Sequence, residues 1–167
     1  MANRSYLYAM DSLPEPDQPS PSAPGISEWN WDVPLVHKVL LSGQPQLQTS
    51  MIWDGAGVYA VAGDYAEGVA NLEAFLSLVP HDEVTQPAAQ ALEWLRDPAN
   101  AKRYLWLEAG EIFVMDEDRD LKEQAEALLA EIQSDWSAVA PTLPVEDVQE
   151  ATGERSWARV LYYGPYD

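Results

Sequence analysis

Cysteine is absent from this chain of 167 residues, and histidine occurs only twice. No disulfide framework, thiolate nucleophile or cysteine zinc site is open to it, and a reducing compartment suits it. His37 and His81 do not stand at ligand spacing from each other, so zinc chemistry is not expected and each reads as ordinary packing or surface. The Gly-x-Ser-x-Gly elbow that presents a nucleophilic serine is missing too. No stretch approaches the roughly 18 apolar residues of a membrane span, and Met1 to Met10 lacks the basic-then-apolar order of an export signal. The expectation is a cytoplasmic protein outside the membrane, with no cofactor and no catalytic residues.

Positive charge is scarce as well. Nine basic residues face 28 acidic ones, for a net charge of −19. Such a field repels nucleic-acid phosphates and anionic lipid, and it speeds encounters with basic proteins. Solubility alone is the plainer use of the same charge. Hydrophobic residues at 47% are enough for a packed core, so one globular domain over residues 1–167 is expected.

Asn3 to Met10 alternates polar and apolar residues and reads as a strand. Residues 11–34 hold six prolines among serines and acids, which predicts a long irregular loop. Trp29 and Trp31 sit two apart in that loop, so both rings are placed on one side of an extended segment. They are either plugs that tie the loop to the core or an exposed anchor for a partner.

Pro34 to Ser42 reads as a short helix, Gln44 to Ser50 as a connection, and Val58 to Ala62 as a strand after the turn Asp54-Gly55-Ala56-Gly57. That turn lacks the lysine of a phosphate loop and is flanked by Asp54 and Asp64. Asp64 caps a helix whose stripe Tyr65, Val69, Leu72, Leu76 and Val79 belongs to the core. A further helix is predicted over Thr85 to Leu95. Arg103 to Leu107 and Glu111 to Met115 have the spacing of a hairpin, and Ser156 to Tyr163 reads as a terminal strand. Glu117 to Val139 repeats apolar residues at helical spacing and is expected to be the longest helix. The fold class that follows is α/β or α+β, a mixed sheet of about five strands packed with three to four helices.

Asp116, Asp118 and Asp120 match the first ligand positions of a calcium loop. Leu121 stands where that loop needs glycine and Ala127 where it needs glutamate, so a charged helix start explains them better. Residues 108–154 nevertheless concentrate 14 acids against 2 bases, half of all the acids in the chain. Asp116, Glu117, Asp118, Asp120, Glu123, Glu126, Glu146, Asp147 and Glu150, with Trp29 and Trp31, are therefore the candidate partner-binding residues. A solvated helix face accounts for the same acids.

The opening Met1-Ala2-Asn3-Arg4-Ser5-Tyr6-Leu7-Tyr8 and the stretch Gly63-Asp64-Tyr65-Ala66-Glu67-Gly68 resemble a family of uncharacterised bacterial proteins. Size and acidity are similar to those of immunity proteins that neutralise bacterial toxins. That resemblance implies an acidic face docked on the basic active-site surface of a cognate toxin, and it carries no functional motif. The rival expectation is a small enzyme that uses a carboxylate pair in a tryptophan-lined cleft on a sugar-like or cationic substrate.

Overall fold

The computed structural model describes residues 3–53 and 57–147, with residues 83–87 described by their backbone alone. The element order is β1 (Arg4–Met10), β2 (Gly25–Asn30), α1 (Leu35–Leu40), β3 (Gln46–Thr49), β4 (Tyr59–Asp64), α2 (Tyr65–Leu78), α3 (Asp82–Arg96), β5 (Tyr104–Glu108), α4 (Gly110–Phe113), α5 (Leu121–Ile132) and α6 (Trp136–Val139). The strands form one sheet in the order β2-β1-β5-β4-β3, and its four pairings are antiparallel. The expected architecture of about five strands with helices packed on them is what the chain forms.

Period-two alternation divides the sheet into two unlike faces. Leu7, Val61, Leu105 and Leu107 point to the helical layer, where they meet Val39, Leu40, Leu72, Phe75, Leu95, Leu128 and Ile132 in one large core. Tyr8, Met10, Ala60, Ala62 and Trp106 point the other way, under Ala23, Met51 and Leu13 from two loops. The predicted stripe from Tyr65 to Val79 is buried as expected. Gly68 sits where α2 crosses α1, and a Cβ there would stand 2.0 Å from the Leu40 carbonyl oxygen. Only glycine permits that approach.

Several expected elements change. The hairpin arm Glu111 to Met115 is not a strand: the Ile112 and Phe113 amides both donate to the Ala109 carbonyl, and the chain turns into α4. β5 is the central strand with β1 and β4 on its two sides, so no edge was open to a hairpin partner. The long helix Glu117 to Val139 is two helices. It starts only after Asp120, whose side chain caps α5 through the Lys122 and Glu123 amides, and Asp135 caps α6 in the same way through Ala138.

The proline-rich loop is interrupted by β2, a proline-free stretch at the sheet edge, where prolines on either side are tolerated. Gln46–Thr49, expected as a connection, forms the other edge. α3 begins at Asp82, ahead of the predicted Thr85. The predicted terminal strand Ser156 to Tyr163 lies outside the described residues.

Leu72 and Leu128 face the same core from α2 and α5, both nearly inaccessible to solvent. Leu72→Ala or Leu128→Ala should each cost about 2 to 5 kcal/mol of unfolding free energy. Urea denaturation measures this directly, and variants as stable as wild type would refute the placement of both faces.

Candidate functional site

Large apolar side chains exposed on the surface are few and collected. Among the described residues they are Trp31, Ile52, Trp53, Val114, Met115 and Leu78, and all but Leu78 lie on segments that follow β2, β3 and β5 at the corner of the molecule where these strands end. That corner is built around α4. A Cβ on Gly110 would stand 2.7 Å from the Trp53 Nε1, so the indole lies directly on the first turn of this helix. Val114 and Met115 follow its last residue, their amides donating to the Gly110 and Ile112 carbonyls.

Glu111 joins the same corner to the start of β1. Its carboxylate accepts from the Arg4 amide at 2.9 Å and from the Tyr6 hydroxyl at 2.9 Å, and its carbonyl accepts from Asn3 Nδ2 at 2.9 Å. The Asn3 carbonyl in turn accepts from the Trp31 amide at 2.7 Å. Trp31 has a φ of +71°, a left-handed conformation that costs a bulky residue roughly 1 to 3 kcal/mol. The residue is 57% exposed. The strain therefore holds an indole in solvent, where burial does not compensate it.

The two tryptophans expected on one side are separated by this turn. Trp29 is the register partner of Ser5 and half-buried, at a groove of about 300 Å³ that is also lined by Asp32, Val33, Pro34, Leu35, Lys38, Leu143 and Asp147. The predicted acidic surface also divides. Asp116, Glu117, Asp118, Asp120, Glu123 and Glu126 are all exposed beside Val114 and Met115 at the N-terminal end of α5. Asp147 lies at the groove whose Lys38 pairs with Glu131, next to the last residue of α5, so about 16 Å of helix separates Asp120 from that ion pair and about 8 Å separates Glu126 from it. Glu146 is exposed, and Glu150 lies outside the described residues. Asp120 serves the fold as a cap, whereas Glu117 and Asp118 make no salt bridge among the described residues. Gln124, buried, pins the loop by donating from Nε2 to the Phe113, Asp116 and Arg119 carbonyls.

Among the described residues every cation is engaged. Arg4, Lys38, Arg96, Lys102, Arg119 and Lys122 each pair with a carboxylate, and Arg103 lies over the Tyr104 ring. No group of three or more His, Asp or Glu among the described residues is arranged to hold a metal ion.

Glu108 was not a candidate from the sequence, because a carboxylate at a strand end reads as surface. It is 1% exposed. Its Oε1 accepts from the Met51 amide at 2.8 Å and Trp106 Nε1 at 2.9 Å, and its Oε2 accepts from the Ser50 hydroxyl at 2.8 Å. Ser50 Oγ then accepts from the Ile52 and Trp53 amides. This network fixes the loop that carries Ile52 and Trp53 to the corner. Burial pushes the Glu108 carboxyl above its ordinary range, against the pull of the Trp106, Met51 and Ser50 donors.

The second buried titratable group is His37, whose Nε2 meets Ser27 Oγ at 2.9 Å while burial holds the ring down at about 3. Its neutral, enclosed ring is a packing element.

Fold and site together describe an α+β protein with one antiparallel sheet and an aromatic, acid-rimmed corner. The chain belongs to the family described as Domain of unknown function (DUF7822), whose model matches residues 11–149. No curated protein and no solved structure matches it.

The two buried groups predict opposite pH slopes. His37 binds a proton in the unfolded chain near 6.5 and in the folded chain only near 3. Its contribution is present above 6.5 and should fall by about 1.4 kcal/mol per pH unit below it, a decline that His37→Leu abolishes. Glu108, raised from 4.5, contributes fully below that value and loses stability as pH rises through its folded value. The stability of wild type minus that of Glu108→Gln should therefore decrease as pH rises above 4.5, read by urea unfolding at a series of pH values. A flat difference in either pair would contradict the corresponding assignment.

Proposed function

We propose that this chain is an acidic protein-binding protein, an immunity protein that neutralises a bacterial toxin by covering its basic active-site surface. The supporting observation is the corner that carries exposed Trp31, Ile52, Trp53, Val114 and Met115, with exposed Glu117 and Asp118, which make no salt bridge among the described residues, following Met115 in the chain. Such a composition, an apolar aromatic centre with a charged rim, suits recognition of another protein. The acids raise the capture rate of a basic partner and the aromatics slow its release.

The enzyme alternative is less well served. Asp32 and Asp147 do share a groove with Trp29, but both are exposed to solvent. Glu108 is buried and lies enclosed, with its oxygens occupied by structural donors.

The full chain, immobilised, should capture a basic protein from its native cell, and that protein's own enzymatic activity should be lost on adding one equivalent of the chain. Glu117→Lys with Asp118→Lys should lower the association rate at least about tenfold at low salt, and the salt dependence should flatten. Thermal stability should not change, because neither residue caps a helix. A captured protein that keeps its full activity would refute the immunity reading, and a salt-independent rate would remove the acidic surface from recognition.

A further inference from the structure

The groove at Trp29 has a chemistry distinct from the open corner. Its polar lining is two carboxylates, Asp32 and Asp147, and one cation, Lys38, whose ammonium is committed to Glu131 at 2.6 Å. The groove therefore keeps an excess of negative charge. Val33, Pro34 and Leu143 give it an apolar component, and the Trp29 indole adds an aromatic one. Asp32 is set in place at both ends: its Oδ1 accepts from the Val33 amide at 2.7 Å, and its carbonyl accepts from the Ser5 hydroxyl at 2.7 Å.

Resting on the reading of the chain as a binder of a basic partner, we infer that this groove receives one arginine side chain of that partner. A guanidinium satisfies all three parts of the lining at once. Its planar face stacks on an indole, its forked donors match carboxylates, and its methylene stem covers apolar surface. Lysine presents a compact, strongly hydrated charge without the planar face and fits this combination less well. The groove of about 300 Å³ is large enough for one such side chain, and its charge excludes an anionic group.

The test uses the full chain, labelled with ¹⁵N, and capped N-acetyl-arginine-methylamide as probe. At low salt the probe should produce saturable shifts at the Trp29 indole N–H, assigned with Trp29→Phe, and at the Val33 and Lys38 amides. Dissociation constants near millimolar are expected, with the lysine counterpart at least about threefold weaker. Asp32→Asn keeps the acceptor for the Val33 amide and should weaken the arginine probe at least about threefold, as should Asp147→Asn.

The neutral isostere citrulline, capped in the same way, should produce no saturable shift at Trp29; equal shifts from it would overturn the inference. Arg155→Ser with Arg159→Ser in the full chain should leave the affinity unchanged, and a gain would mean that the chain's own arginines occupy the groove. A partner that associates in the salt-dependent manner described above while the probe fails would remove the groove and leave the proposed function standing. A probe that binds where no partner is inhibited would do the reverse.

Discussion

A carboxylate without a cation holds the loop face of this protein together. Glu108 ends the central strand and is enclosed beneath the 50–53 loop, where its charge is met only by neutral donors from Trp106, Met51 and Ser50. Removing a charge from water costs several kcal/mol, and hydrogen bonds from fixed donors offset only part of it. The gain is geometric. Ser50 donates its one proton to Glu108 and accepts from two further amides, so a single carboxylate fixes four consecutive residues. Trp53 reaches α4 because of that arrangement, and the exposed corner follows from it.

What the sequence made legible was periodic, and what it hid was relational. The α2 stripe from Tyr65 to Val79, its Asp64 cap and the opening strand all declare themselves by spacing. β5 was found for the same reason. The hairpin failed because Glu111 to Met115 has the composition of a strand, while the vacancy that would pair it does not exist once β1 and β4 flank β5. No local pattern reports which strand is central. The division of the predicted long helix at Ser134 and Asp135 was readable in principle, since Asp135 takes the same capping role as Asp120, but unbroken apolar periodicity concealed it.

The site was legible only as a charge excess. Counting acids in residues 108–154 took in Glu117 and Asp118, which make no salt bridge among the described residues, together with Asp120, which serves a helix, and Glu108, which was never a candidate and is buried. A count cannot separate these roles, because capping, burial and recognition all use carboxylates. Trp53, Val114 and Met115 escaped notice for a related reason. Each looks like core material in isolation; the turn of the chain after Gly110 leaves Val114 and Met115 facing solvent, and Trp53 lies partly exposed against Gly110.

The two stretches that carry the bacterial resemblance prove to be joints of the fold. In Asn3-Arg4-Ser5-Tyr6, the residues bind Glu111, Glu28 and the Asp32 carbonyl, which fastens β1 to α4 and to the end of β2. In Gly63 to Gly68, the outer glycines admit the Leu41 and Leu40 carbonyls, Asp64 caps α2, and the Tyr65 hydroxyl donates to the Leu95 carbonyl. Among the described residues neither stretch supplies an exposed apolar anchor or one of the acids beside the corner. A protein sharing them would thus be expected to share this framework while remaining free to differ in what it recognises. On the proposed reading, specificity on such a frame would lie with residues that the joints merely position: Trp31 after β2, Trp53 on the Glu108-held loop, and Glu117 and Asp118 after Met115. Altering those side chains would then change affinity for one partner relative to another without disturbing the sheet, a separation of framework from contact surface that suits a scaffold whose partners vary.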